Sequence, residues 1–296
     1  MIQIEHLTKR FGSLTAVDDL SFTVADGRIT GFLGPNGSGK TTTLRASLGL
    51  IKANEGRVTF DGVPYKAIAK PLRTIGAALE ASSFHPGRTA LDHLRVLGTE
   101  AGVSTARCRE VLELVGLAAQ GNRRVGGFSM GMRARLALAA ALLGDPGILL
   151  LDEPTNGLDP EGISWMRSLL RALAAQGRTI LVSSHLLAEV EQTADDVVII
   201  ARGKLLRAAP LSELQRSTGA TTIVDALDGA GLAKLISTKG WDAVQISPSA
   251  WRVTGPTAAQ IGQTAMEARL VLTQLASQQA GLEQVFFELT EGGGLA

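Results

Sequence analysis

Apolar and polar residues alternate along the first part of the chain in a manner typical of β-structure. The apolar positions are Ile2, Ile4, Val17, Leu20, Phe22 and Val24. A short apolar run from Ile29 to Leu33 then ends in glycines and leads into a segment, 40–44, with a helical pattern. A strand, a glycine loop and a helix in succession indicate the opening of an α/β unit.

The apolar spacing becomes helical between residues 88 and 145. An unbroken apolar stretch from Ile148 to Leu151, flanked by breaking residues, then predicts a buried strand. The alternation continues with helix 161–175, strand Thr179–Ser183, helix 186–193 and strand Val197–Ala201. The pattern favours an α/β fold in which a mixed sheet is interrupted by a helical subdomain at residues 88–145.

The character of the chain changes after Pro210. Strands are predicted at Thr221–Ala226, Trp241–Ile246 and Trp251–Thr254, with helices near 229–238, 256–265 and 281–290. We expect two domains, 1–210 and a C-terminal α+β module at 211–296 with the βαββαβ order of a ferredoxin-like fold. Trp241 and Trp251 are expected to anchor the core of that module.

Composition and charge exclude several classes of protein. The 296 residues carry 29 Lys and Arg against 28 Asp and Glu, a net charge of +1 that gives no reason to expect nucleic acid as a partner. The single cysteine, Cys108, cannot form an intramolecular disulfide and is expected to be buried and inert. The longest apolar run, Leu136–Gly144, is too short to span a bilayer, so we expect a soluble, cytoplasmic chain.

The glycine loop predicts a phosphate-binding site. Its sequence matches G-x-x-x-x-G-K-[ST] between a strand and a helix, where backbone N–H groups and the helix N-terminus can face phosphate oxygens. Lys40 is expected to reach the β- and γ-phosphates of ATP, and Thr41 to ligate Mg²⁺. The predicted nucleotide-binding residues are Gly34, Pro35, Asn36, Gly37, Ser38, Gly39, Lys40, Thr41 and Thr42. The alternative is a glycine-rich turn with a chance lysine.

Two carboxylates follow the buried strand 148–151. Ligands of open α/β sheets bind outside the carboxyl ends of the strands, which is where Asp152 and Glu153 are expected. Asp152 is predicted to hold Mg²⁺, and Glu153 to polarise the attacking water as general base, a role that contributes roughly 10²–10⁴-fold in rate. A solvated acidic pair at a strand end is the alternative. Together with the phosphate loop, this pair predicts a P-loop NTPase cassette.

The order of these motifs resembles the ATP-binding cassette (ABC) ATPases over residues 1–210. Phe11 stands where that family stacks an aromatic ring on adenine, although a lone Phe could equally be a core contact. Phe128-Ser129-Met130-Gly131-Met132 resembles the family signature, usually Leu-Ser-Gly-Gly-Gln, and implies nucleotide contacts from Ser129 and Gly131. Asp159 in Gly157-Leu158-Asp159 resembles the D-loop, and His185 resembles the catalytic switch histidine.

Two departures from the family pattern stand out. Met130 and Met132 replace a glycine and the glutamine of the signature. Glu80, in Ile75-Gly76-Ala77-Ala78-Leu79-Glu80, stands where the family carries glutamine, and its carboxylate can still coordinate Mg²⁺. An unrelated exposed glutamate is the alternative. The segment that follows, with Phe84-His85-Pro86, resembles cassettes that serve drug and peptide-antibiotic exporters.

The resemblance implies a mechanism and partners. Two copies would form a head-to-tail dimer with ATP between the phosphate loop of one and the signature of the other, and ATP-driven closure would drive transport. A separate integral membrane permease would be supplied in trans, which places the chain on the inner face of the cell membrane. The expected cargo is a drug, an antibiotic or another amphipathic substrate. The alternatives are an importer ATPase, or a soluble cassette acting on ribosomes or DNA.

Overall fold

The computed structural model describes residues 1–79, 84–217 and 221–278, together with Leu282, Glu283, Phe286 and Leu289. The chain divides into two compact units, Met1–Pro210 and Leu211–Ala296. Within the described residues, no helix combines the length and the apolar character that a bilayer crossing requires.

The first unit contains two sheets. Its strands are β1 (Ile2–Phe11), β2 (Leu14–Val24), β3 (Ile29–Leu33), β4 (Glu55–Phe60), β5 (Ile75–Ala78), β6 (Ile148–Asp152), β7 (Thr179–Ser184), β8 (Asp196–Ala201) and β9 (Lys204–Pro210). Strands β2-β1-β4 form an antiparallel sheet. The other sheet has the order β5-β6-β7-β3-β8-β9 and is parallel except for β9. The mixed α/β sheet predicted from the sequence is confirmed.

Some helices of the first unit pack on its sheets, and others form a separate helical region. They are α1 (Lys40–Ser47), α2 (Pro71–Thr74), α3 (Ala90–Ala101), α4 (Thr105–Leu114), α5 (Met130–Leu142), α6 (Pro160–Ala175) and α7 (Leu187–Thr193), with 3₁₀ turns at Tyr65–Ala67, Ala118–Gln120 and Val125–Gly127. Helices α3, α4 and α5 pack on one another in the stretch between β5 and β6. Each begins at a side-chain cap, from Thr89, Ser104 and Ser129 respectively.

The main core of the first unit lies between its two sheets. Apolar side chains from both sheets and from α1 share one buried cluster, in which the rings of Phe22 and Phe32 lie 5.2 Å apart. Every residue of β3 is buried, as are residues 148–151 of β6. Helices α6 and α7 pack against β3 and β7. Strands covered in this way need unbroken apolar sequence, which is what residues 29–33 and 148–151 supply.

The second unit is built on a four-stranded antiparallel sheet. Its elements are α8 (Leu211–Ser217), β10 (Thr221–Ala226), α9 (Gly229–Lys239), β11 (Asp242–Gln245), β12 (Ala250–Thr254), α10 (Ala258–Glu267) and β13 (Leu272–Gln278). The strand order is β11-β12-β10-β13, which with the βαββαβ succession is the ferredoxin-like arrangement. Trp241 and Trp251 pack against its core cluster. Most of the helix predicted at 281–290 lies outside the described residues.

Candidate nucleotide-binding site

The predicted phosphate loop connects the end of β3 to the start of α1. Its backbone passes through left-handed conformations at Gly37 and Gly39, where φ is +81° and +107°. A Cβ at Gly39 would lie 2.5 Å from the carbonyl oxygen of Ala16, so no larger residue fits without a shift of the backbone. Lys40, only 6% exposed, donates a hydrogen bond from its ammonium to the carbonyl oxygen of Gly34 at 2.6 Å.

Two groups of this loop lack the partners that phosphate oxygens would supply. The hydroxyl of Ser38 is buried and, among the described residues, has no hydrogen-bond partner. The Lys40 ammonium is bonded to carbonyl oxygens of its own loop, those of Gly34 and Pro35. A buried polar group without a partner costs about 1–3 kcal/mol, a penalty that a bound phosphate would relieve. The residues present therefore fit the phosphates of a nucleotide.

The two described candidate ligands for Mg²⁺ meet between α1 and β6. The Thr41 hydroxyl donates a hydrogen bond to Asp152 Oδ2 at 2.7 Å across 111 positions of sequence. Hydroxyl and carboxylate oxygens are the hard donors that Mg²⁺ prefers, so this pair fits the ion. Glu80, the third predicted ligand, lies outside the described residues.

The predicted catalytic residues lie together at the carboxyl ends of β6 and β7. Glu153 Oε2 lies 2.8 Å from Nδ1 of His185, and Glu153 Oε1 lies 3.6 Å from Nζ of Lys40. The Glu153 side chain is 19% exposed, which leaves it accessible from one side. A carboxylate placed between an ammonium and an imidazole can accept a proton from water while its charge is held in position.

Ser183 supports both acidic residues, and sequence reasoning assigned it no role beyond its strand. Its fully buried hydroxyl donates a short hydrogen bond to Asp152 Oδ1 and accepts one from the Glu153 N–H at 3.0 Å. The same N–H also lies 3.2 Å from the Ser183 carbonyl oxygen. These bonds hold Glu153 in a left-handed backbone conformation, φ +48°, that non-glycine residues seldom adopt.

A further hydrogen bond joins the turn after Glu153 to the helix after His185. The Thr155 hydroxyl donates to Glu189 Oε2 on α7 at 2.6 Å. The turn after Glu153 and the helix after His185 are therefore connected by a second hydrogen bond besides the contact between Glu153 and His185. No signal in the linear sequence identifies this link, because it depends on how α7 packs beside the turn.

Phe11 lies at the end of β1, and the residue is 49% exposed. The ammonium of Lys9 lies 4.7 Å from the ring centroid, a cation–π distance. This exposure is incompatible with the alternative of a core contact. The ring is therefore available for stacking on a base, as the family resemblance predicts.

The signature and D-loop residues occupy helix N-termini. Ser129 caps α5 by accepting a hydrogen bond from the N–H of Met132, and Asp159 caps α6 by accepting one from the N–H of Gly162. Gly131 lies in the first turn of α5. Among the described hydrogen bonds and ion pairs, none joins this region to the phosphate loop.

Burial and hydrogen bonding shift the pKa of several side chains in the first unit, among them His93, Arg28 and Cys108. Burial lowers the pKa of His93 on α3, whose ring packs edge-on against Phe84 with centroids 4.9 Å apart. The hydrogen bonds to Asp196 raise the pKa of Arg28. Burial raises the pKa of the Cys108 thiol, which fits the expectation of an inert cysteine.

Comparison with known proteins identifies the family. The family model "ABC transporter" matches residues 17–156, and a domain of unknown function (DUF8746) matches residues 216–283. The bacitracin transport ATP-binding protein BcrA of Bacillus licheniformis is 45% identical over 219 residues, covering 73% of this chain and 72% of that protein. BcrA of Enterococcus faecalis is 34% identical over 302 residues, covering 100% of this chain and 98% of that protein.

A solved structure shows the same fold in a dimer. The dimeric post-hydrolysis state of the ATP-binding cassette MJ0796, bound to ADP and Pi, superposes with a TM-score of 0.64. It is 25% identical and covers 71% of this chain and 99% of that one. The chain therefore belongs to the ABC transporter family, as one of its ATP-binding ATPases.

Proposed function

We propose that this chain hydrolyses ATP with Mg²⁺ at the site described above and energises export of drugs, antibiotics or other amphipathic substrates through a separate membrane permease. The observation that carries the proposal is the position of the Glu153 carboxylate, 3.6 Å from Lys40 and 2.8 Å from His185, at the edge of the phosphate loop. The similarity to two bacitracin transport proteins supports the choice of export.

Binding begins with an exchange of partners at the phosphate loop. Lys40 leaves the carbonyl oxygen of Gly34 and pairs with the β- and γ-phosphates, while the hydroxyl of Ser38 gains an acceptor. The positive N-terminus of α1 and the loop N–H groups add to the attraction for phosphate. Phe11 stacks on the adenine with the Lys9 ammonium retained at its ring.

Thr41 and Asp152 would hold Mg²⁺, with Glu80 as a further proposed ligand from the segment that follows β5. When bound, the ion neutralises charge that develops on the phosphate oxygens during transfer. Asp152 keeps its orientation because Ser183 donates to its other carboxylate oxygen. Thr41 donates its hydroxyl hydrogen to Asp152, so the lone pairs of its oxygen would be available to the ion.

Glu153 and His185 carry the chemical step. Glu153 accepts a proton as a water molecule attacks the γ-phosphorus, and the bond from phosphorus to the β–γ bridging oxygen breaks to release ADP and phosphate. His185 contacts the transferring phosphoryl group, held by its contact with Glu153. Lys40 neutralises part of the negative charge that develops on the leaving ADP.

A second copy completes each site. Ser129 and Gly131 offer the N-terminus of α5 to the γ-phosphate held by the partner, in a head-to-tail dimer with two ATP molecules. This arrangement is supported by the lack of any described bond between that helix end and the phosphate loop of the same chain. Asp159, beside the signature, lies at the same interface. Closure depends on the γ-phosphate, so hydrolysis reopens the pair.

The test uses Glu153→Gln, with Glu161→Gln on the exposed first turn of α6 as the matched control. Phosphate release by Glu153→Gln should fall at least about 100-fold, within the range for loss of a general base, while the control keeps wild-type activity. Light scattering with ATP and Mg²⁺ should show a dimer of Glu153→Gln. Retained hydrolysis would overturn the role of Glu153, and a monomer would overturn the head-to-tail sandwich.

Partnership with a membrane permease can be tested by co-purification. Tagged Glu153→Gln should be expressed in its native cells, solubilised from membranes with detergent and purified with ATP, and the chains that co-elute identified. We expect an integral membrane permease in amounts comparable to the ATPase. Ribosomal protein or DNA in its place would overturn the assignment to transport.

A further inference from the structure

The N-terminus of α5 interlocks with the loop that joins β6 to α6. A Cβ built on Gly157 would lie 2.6 Å from Cε of Met130 and 2.8 Å from its Cβ. Contacts that short do not occur between real atoms, so the Met130 side chain occupies the space that any larger residue at position 157 would need. Gly157 also has φ +78°, in the left-handed region that favours glycine.

A second contact joins the same two segments, and here the loop supplies the large side chain and α5 supplies the glycine. Leu158 extends its side chain between glycines of two helices, Gly131 of α5 and Gly162 of α6. A Cβ on Gly131 would lie 3.2 Å from Leu158 Cδ2, and one on Gly162 would lie 3.3 Å from the same atom. Each segment therefore gives one large side chain and receives one over a glycine, which is the geometry of interdigitated packing.

The loop that receives Met130 leads directly back to Glu153. The N–H of Asn156 bonds to the carbonyl oxygen of Glu153 at 3.1 Å, and the N–H of Leu158 bonds to that of Thr155 at 3.1 Å. These two successive turns restrict movement of the backbone between Glu153 and the contact of Met130 with Gly157. A displacement of Gly157 is thus passed to the backbone of Glu153, which is already held in an unusual conformation.

Burial alone does not explain why position 130 carries a long apolar side chain. Met130 is 64% exposed at the first residue of α5, directly after the Ser129 cap. An apolar side chain that remains mostly in water gains little from the hydrophobic effect. Its contact with Gly157 is the specific interaction that the structure offers for it.

We propose that Met130 is a positioning residue for ATP hydrolysis, which holds the loop 156–159 against α5 so that Ser129 and Glu153 keep a fixed spacing. The inference rests on the proposed roles of those two residues. Met130 itself contacts neither the nucleotide nor the attacking water. Because its side chain and the missing Cβ of Gly157 share one space, enlarging position 157 should be tolerated better once position 130 is reduced.

The test is a double-mutant cycle with Met130→Gly, Gly157→Ala and the double variant, measured as kcat and KM for ATP. Glycine is used at position 130 because the Met130 Cβ itself lies 2.8 Å from the Cβ built on Gly157, and alanine would keep that atom. Gly177→Ala is the matched control for backbone strain, because Gly177 has φ +89° and open space where the Cβ would stand. Met130→Leu is the conservative variant, since leucine also extends an apolar side chain over the glycine. Melting temperatures are recorded for all five variants.

For Gly157→Ala we expect kcat to fall about tenfold with KM changed less than about twofold, a loss of positioning and not of binding. Reducing position 130 in that background should recover kcat at least about threefold, a coupling that independent sites do not show. Met130→Leu should keep wild-type kcat, Met130→Gly should lose about threefold, and Gly177→Ala should change the melting temperature alone.

If Gly157→Ala lowers kcat equally with and without Met130, the proposal is overturned. The whole loss of kcat would then come from backbone strain at position 157, where φ is positive. Wild-type kcat in Met130→Gly would overturn it as well, and this comparison stands even if Gly157→Ala fails to fold. An active Glu153→Gln variant would instead overturn the proposed function. If Glu153→Gln is inactive but the double-mutant cycle shows no coupling, only the proposed role of Met130 is overturned.

Discussion

The Ser183 hydroxyl offers the sharpest single-atom perturbation of the catalytic site. Ser183→Ala removes a donor to the Asp152 carboxylate and an acceptor for the Glu153 N–H, and it adds no atom to a fully buried position. The Glu153 N–H keeps the Ser183 carbonyl oxygen at 3.2 Å as a second acceptor. The substitution should therefore loosen both acidic residues without unfolding the turn.

The magnitude follows from the kinds of bond that are lost. A hydrogen bond to a charged group contributes about 1.5–3 kcal/mol, and the bond to Asp152 is of this kind. Each ~1.4 kcal/mol of lost transition-state stabilisation lowers the rate about tenfold, so we expect kcat to fall about 10- to 100-fold. The free energy of unfolding should fall by about 1–3 kcal/mol through the same bonds.

The assay is phosphate release at saturating ATP and Mg²⁺, together with thermal melting. Ser47→Ala is the matched control, because the buried Ser47 hydroxyl donates only to the carbonyl oxygen of Thr43 within α1 at 2.8 Å. The control should lose stability but keep kcat. A kcat for Ser183→Ala within about twofold of wild type would refute the reasoning, since hydrogen bonds to an ionised carboxylate would then contribute nothing to catalysis.

Two further predictions concern stability. Burial lowers the pKa of His93, so the unfolded chain takes up its proton first and the stability present above about pH 6.5 is lost as the pH falls below that value. The melting temperature of wild type should accordingly drop more between about pH 7.5 and 5.5 than that of His93→Gln. Parallel curves for the two proteins would contradict this. Arg28 donates hydrogen bonds to Asp196 at 2.5 and 2.8 Å, and its side chain is 43% exposed. Because solvent screens so exposed a pair, Arg28→Gln should lower the melting temperature by only about 1–3 °C. A larger fall in high salt than in low salt would contradict an ionic origin.

The parts of the site that could be predicted from sequence depend on near neighbours in the chain. The phosphate loop is one continuous segment, and Asp152 and Glu153 directly follow the apolar strand that positions them. Strands β3, β6 and β7 could be predicted equally well, because a strand buried on both faces needs an unbroken apolar sequence. In each case the physical cause and its signal lie within a few residues of one another.

The contacts that escaped prediction join segments that only the fold brings together. Ser183 meets Asp152 because β6 and β7 pair in one register, and Met130 meets Gly157 across two helix N-termini. Strands β9 and β13 were missed for another reason. Their residues are largely exposed, as in the pattern of β9, so no regular apolar alternation marks them.

The pairing of β3 has a consequence for synthesis of the chain. This wholly buried strand pairs with β7 and β8, about 150 residues later, so all of its ladder partners leave the ribosome long after it does. The phosphate loop at its end cannot take its final shape on a nascent chain until β8 has emerged. Messages or proteins truncated before that point would present Ile29–Leu33 as an unpaired apolar strand, the kind of segment that aggregates or recruits chaperones.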